Sequence, residues 1–66
     1  MHVWINGERR EVAVGASVLD ALAVIGGARV GVAVAVDGAV VRRSDWPSTP
    51  LPEGARVEVL TAVQGG

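Results

Sequence analysis

The sequence predicts an α+β domain of two layers, a mixed sheet of four to five strands with one main helix lying across one face. Apolar residues alternate with a period of two in several separate stretches, and that spacing places every second side chain on one face of a strand. A single stretch instead spaces Val18, Ala21, Leu22 and Ile25 at i, i+3, i+4 and i+7, the buried stripe of one helix. Asn6-Gly7 and Asp37-Gly38 are strong signals for tight hairpins, because both residues of such a pair accept the positive φ of a type I′ turn.

His2 to Asn6 alternates, with Val3 and Ile5 toward the core and His2, Trp4 and Asn6 away from it. After the Asn6-Gly7 turn an antiparallel second strand is expected at about Arg9 to Val14, with Val12 and Val14 joining the core. Gly15-Ala16 breaks it. Ser17 is placed to cap a helix beginning at Val18, with Asp20 three positions on as the short-acid partner of a capping box, and Gly26-Gly27 ends that helix. From Gly31 to Val36 a third strand puts Val32, Val34 and Val36 on one face and Ala33 and Ala35 on the other. Ala39 to Arg42 follows as a short fourth strand.

Arg43 to Pro52 holds Pro47, Pro50 and Pro52, which rules out regular strand or helix interior, so a structured loop with a helical turn near Ser44 to Trp46 is expected. Trp46 should pin that loop to the core. Glu53-Gly54 turns the chain into a last strand from Arg56 to about Val63, with Val57 and Val59 inward and Glu58, Leu60 and Ala62 outward. The expected core is Val3, Ile5, Val12, Val14, Leu22, Ile25, Val34, Val36, Val57 and Val59. A hairpin, a crossing helix, two more strands and a final strand inserted beside the first make a β-grasp (ubiquitin-like) fold.

Length and charge narrow the function classes. Sixty-six residues allow one domain, and without cysteine its stability must come from dense packing of Val, Ala and Gly, which number 14, 10 and 9. A net charge of −1 and two aromatics do not suit a nucleic-acid surface. No stretch is long and apolar enough to span a bilayer or to act as a signal peptide, so the cytoplasm is the expected compartment. One His and no Cys cannot assemble a structural zinc site or a thiol nucleophile, and no cofactor is expected on this chain. The carboxylates are scattered among turns, a cap and outward strand positions, so no catalytic acid and base are assigned.

The sequence closes on Val63-Gln64-Gly65-Gly66. Residues 64–66 read as a flexible Gly-Gly tail on a domain of residues 1–63: without side chains beside it, a terminal carboxylate can thread a narrow channel of a partner. All six basic residues are Arg, so copies of the chain could not be linked through lysine.

These features together resemble the ThiS family, the ubiquitin-like sulfur carriers of bacterial thiazole biosynthesis. The resemblance lies in the length, the Asn6-Gly7 hairpin, Gly15-x-Ser17-Val18, Ala33-Val34-Ala35-Val36-Asp37-Gly38, Arg43-Ser44-Asp45-Trp46, Glu53-Gly54 and Gly65-Gly66. Arg42 departs from it, standing where the family often has proline. The resemblance implies a protein co-substrate and not an enzyme. An E1-like adenylyltransferase using ATP and Mg would convert the Gly66 carboxylate to an acyl-adenylate, and a persulfide from a cysteine desulfurase or another donor would displace AMP. Thiazole synthase would then take the sulfur from the Gly66 thiocarboxylate, with Val63, Gln64 and Gly65 threading the partner site. Leu60, Ala33, Ala35 and Glu58, outward on the strands that lead to the tail, are the expected docking residues. Other readings of the same features are the small subunit of molybdopterin synthase, which usually runs longer, a modifier joined by isopeptide bonds, and a non-covalent β-grasp binding module.

Overall fold

The computed structural model describes residues 1–26 and 32–61. Its elements follow in the order β1 (His2–Ile5), β2 (Glu8–Glu11), α1 (Val18–Val24), β3 (Val32–Val36), β4 (Ala39–Val41), a 3-10 helix (Arg43–Ser48) and β5 (Arg56–Thr61). The five strands form one sheet in the order β2-β1-β5-β3-β4. β1 and β5 run parallel and every other pair is antiparallel, so the last strand lies between two hairpins, as the β-grasp topology requires.

Both hairpin turns take the expected form. Asn6 and Gly7 have φ of 51° and 82°, Asp37 and Gly38 of 49° and 87°, the left-handed pair that matches the twist of the flanking strands. The register that results sets His2 opposite Glu11 and Trp4 opposite Arg9 in one hairpin, and Ala35 opposite Val40 in the other. β2 consists of Glu8-Arg9-Arg10-Glu11, and this charge on an exposed outer strand discourages edge-to-edge pairing with another molecule.

The helix starts as its sequence dictates. Ser17 Oγ accepts from the Asp20 amide at 3.2 Å and an Asp20 carboxylate oxygen accepts from the Ser17 amide at 2.9 Å, so two otherwise unpaired N–H groups are satisfied. Val18, Ala21 and Leu22 are buried against the sheet, while Ile25 packs at the margin of the core. The proline-rich segment becomes the second cover of the sheet. Trp46 is buried in the core and donates its indole N–H to the Val41 carbonyl at 3.0 Å, and the Arg43 guanidinium lies 5.6 Å from the ring centroid. Past this helix the chain joins the start of α1: Val18 donates to the Thr49 carbonyl at 2.9 Å and Leu51 to the Ala16 carbonyl at 2.8 Å, around an isolated bridge between Ser17 and Pro50.

The core contains Val3, Ile5, Val12, Leu22, Val34 and Val57, as the alternation predicts, with Val36 and Val59 half-buried against it. Val14 is a correction, because it stands 86% exposed. β2 ends at Glu11, and Ala16 donates to the Ala13 carbonyl at 3.0 Å across a tight turn in which Gly15 has φ of 85°. Val14 sits on the tip of that turn, so the alternation that placed it inward stops one residue after Val12. Ala16, Leu51 and Ala55 occupy core positions that periodicity did not reveal. Gly27, Gly31, Ala62 and Val63, assigned above to element ends, lie outside the described residues. No helix among the described residues is long and apolar enough to cross a membrane.

Leu22 is nearly fully enclosed at the centre of this core. Leu22→Ala should cost about 2–5 kcal/mol, a large share of a small domain's stability, and lower the thermal midpoint accordingly. An unchanged midpoint in calorimetry would show that the helix does not seat this residue.

Candidate functional site

Among the described residues, α1 and the 3-10 helix cover one face of the sheet and the other face is left open. Outward positions on that open face are fixed by the registers of the strands. Ala33 on β3 stands directly opposite Leu60 on β5, and Ala35 stands opposite Glu58 on one side and Val40 on the other. Leu60 is 69% exposed and Val40 81% exposed, and Ala33 is exposed as well. The four residues expected at a docking surface, Leu60, Ala33, Ala35 and Glu58, thus form two adjacent rungs of β3 and β5. Directly opposed side chains in an antiparallel pair lie about 5 Å apart, so Leu60 and its neighbours make one contiguous surface. The two alanines lower its floor and let another backbone come close.

Val40 extends this surface to the β4 edge and was not singled out in the sequence. The signal was present. A two-residue Asp37-Gly38 turn pairs Val36 with Ala39, so Ala35 must face Val40, and an outward Ala35 makes Val40 outward too.

A different chemistry occupies the other half of the open face. Trp4 is 43% exposed and stands in register between Arg9 on β2 and Arg56 on β5. Trp4, Gly7, Arg56, Val57 and Glu58 line an open recess of about 420 Å³. The Arg9 guanidinium comes within 3.4 Å of His2 Nδ1, which places His2 among surface charges. The face therefore passes from an aromatic flanked by two cations, through Glu58, to an apolar patch.

The main chain of β5 carries the site. Its start is held by Asp37, whose carboxylate accepts from the Arg56 amide at 2.9 Å, and further along Asn6 Oδ1 accepts from the Val59 amide at 2.8 Å. Beyond Thr61, the tail residues Val63, Gln64, Gly65 and Gly66 lie outside the described residues. Among the described residues there is no group of three His, Cys, Asp or Glu that could hold a metal ion.

Comparison with known proteins gives this geometry its context. No curated protein sequence is a significant match. Among solved structures, the chain is similar to the crystal structure of the thiamine biosynthesis protein ThiS from Geobacter metallireducens, with 29% identity, a TM-score of 0.81 and complete (100%) coverage of both chains. It is also similar to an NMR solution structure of a thiamine biosynthesis protein from Geobacter metallireducens, at 29% identity and a TM-score of 0.76, covering 100% of this chain and 88% of that one. The profile of the ThiS family matches residues 3–66, from the first core residue of β1 through the terminal glycines. With a family match over residues 3–66 and an overall structural similarity at a TM-score of 0.81, the chain belongs to the ThiS family of ubiquitin-like sulfur carriers.

Proposed function

We propose that the protein carries sulfur as a thiocarboxylate on Gly66 and delivers it to the enzyme that closes the thiazole ring in thiamine biosynthesis. The observation that carries this reading is the family match itself, which runs through Gly65 and Gly66 without a break. In this reading residues 1–63 are the recognition body and residues 64–66 the reach.

A carboxylate with a pKa of about 3.5 is ionised at neutral pH and is a poor electrophile, so it needs activation. An E1-like adenylyltransferase joins the Gly66 carboxylate to the α-phosphate of Mg-bound ATP with loss of pyrophosphate. A cysteine persulfide from a desulfurase, or from another donor, attacks the acyl carbon and displaces AMP. Cleavage of the resulting acyl disulfide by a thiol leaves sulfur on Gly66, and thiazole synthase accepts it. The carrier supplies no acid, base or metal in these steps, which belong to cytoplasmic partner enzymes. Its own contribution is to dock and to present the carboxyl carbon, with Leu60, Ala33, Ala35 and Glu58 in contact with the activating enzyme and Val63, Gln64 and Gly65 in its channel.

Two measurements test this. Intact mass after incubation with ATP, the activating enzyme and a sulfur donor should rise by about 16 Da as the acid becomes a thioacid, whose thiolate is the nucleophilic form. Deletion of Gly66, extension by one Ala, or Gly65→Val should each abolish that gain with an unchanged circular dichroism spectrum, because displacement by about one ångström spoils a near-attack geometry. A wild-type protein that never gains the mass with competent partners would remove the sulfur-carrier assignment.

Leu60→Arg should leave the fold intact, since Leu60 is 69% exposed, and weaken binding to the activating enzyme by about tenfold or more through the charge it places in an apolar contact. Equal affinity of the two proteins in calorimetry would take Leu60 out of the interface.

A further inference from the structure

The parallel pairing of β1 with β5 ends in an unusual way. Trp4 donates to the Ala55 carbonyl at 2.8 Å and Asn6 donates to the Val57 carbonyl at 2.9 Å, two successive steps of one ladder. Continued regularly, the ladder would send the Val59 amide to the Asn6 main-chain carbonyl and bring the Glu8 amide to the Val59 carbonyl. The main chain makes neither bond, because Asn6 has φ of 51° and turns away into the hairpin. The side chain of the same Asn6 offers both instead: Oδ1 accepts from the Val59 amide at 2.8 Å, and Nδ2 donates to the Val59 carbonyl at 3.2 Å. A carboxamide carries its oxygen and its NH2 side by side, so one side chain can accept from the amide and donate to the carbonyl of the same residue. Aspartate could accept but not donate, and glycine would keep the turn but leave both Val59 groups to water.

Position along β5 gives this clamp its meaning. After Val59 come Leu60 and Thr61, paired on the other flank with Ala33 and Val32 of β3. Among the described residues, the Asn6 carboxamide is the last tether from the β1 flank before the chain continues toward Gly66.

We propose that Asn6 is a positioning residue for the C-terminal segment: its carboxamide fixes the Val59 peptide, and with it the direction in which β5 delivers the tail relative to the docked body. The inference rests on the sulfur-carrier reading for its consequence, but not for its geometry. Docking through the Leu60 surface does not need the clamp, whereas alignment of the Gly66 carbon with an activating centre does.

A matched control exists at the other end of the strand. Asp37 opens the second hairpin with φ of 49°, and it holds the Arg56 main chain through its own amide at 2.8 Å and its carboxylate at 2.9 Å. It grips where β5 begins, far along the strand from the tail.

The experiment compares wild type, Asn6→Gly, Asn6→Asp and Asp37→Gly, each retaining a residue that suits the turn. Amide hydrogen exchange followed by NMR should show protection at Val59 falling about tenfold or more in Asn6→Gly, with Trp4 and Val57 unchanged, and a smaller loss in Asn6→Asp, which keeps the acceptor. Rates of mass gain at varied carrier concentration, below the melting temperature of every variant, should show kcat about tenfold lower in Asn6→Gly at an unchanged KM, intermediate in Asn6→Asp, and unchanged in Asp37→Gly. A purely structural role would lower the melting temperatures of Asn6→Gly and Asp37→Gly and leave both kcat values alone, and that result overturns the proposal, as does full protection of Val59 in Asn6→Gly. If the wild type gains no sulfur, the carrier reading fails, and the Val59 exchange result then decides for or against the clamp by itself.

Discussion

Among the described residues neither hairpin touches the other through main-chain pairing; both are joined only to β5, which fills the gap between them. Insertion of that one strand turns two separate ribbons into a sheet, and the sheet in turn gives α1 and the 3-10 helix a surface to cover. The demand on β5 is severe, because it must match a parallel neighbour on one side and an antiparallel neighbour on the other. Its sequence meets the demand with β-branched inward residues, Val57 and Val59, and with outward positions free to differ. The same residues that reverse the chain in the hairpins, Asn6 and Asp37, also bind the β5 main chain, so turn formation and strand insertion reinforce each other.

The covered layer shows how a short chain obtains a core from small side chains. α1 runs only from Val18 to Val24, and it cannot cover a sheet of five strands by itself. Trp46 and Leu51, carried by the proline-rich segment, supply the bulk that valine and alanine lack. Proline suits this segment, which needs few ladder hydrogen bonds and gains from a stiff backbone. Burying one large aromatic also requires a partner for its N–H, and the Val41 carbonyl at the end of β4 is that partner.

Most of the architecture could be read from local chemistry. Asn6-Gly7, Asp37-Gly38 and the Ser17/Asp20 box each encode their geometry within a few residues, and the valine alternation set the faces of β1, β3 and β5. Failure came where geometry depends on distant partners. Val14 continued an alternating pattern in sequence, yet the pairing along this strand goes no further than Val12, which donates to the Met1 carbonyl at 2.8 Å, and the tight turn closed by Ala16 on Ala13 carries Val14 to its tip. Ala16, Leu51 and Ala55 lie in turns, where no period marks a residue as buried. At the open face, Leu60 and its neighbours were legible from strand phase alone, whereas Val40 needed the hairpin register to be carried through. The grip of Asn6 on Val59 spans 53 positions of sequence and leaves no trace in either local pattern.

Because the central strand comes last in chain order among the described strands, synthesis imposes an order on their assembly. The ribosome must release Arg56–Thr61 before the two hairpins have anything between them to bind, so the sheet closes only after both hairpins and the intervening segments have been made. A chain truncated within β5 would leave both hairpins with open inner edges. Folding therefore works as a check on β5: a molecule that has acquired its open face has also acquired its central strand.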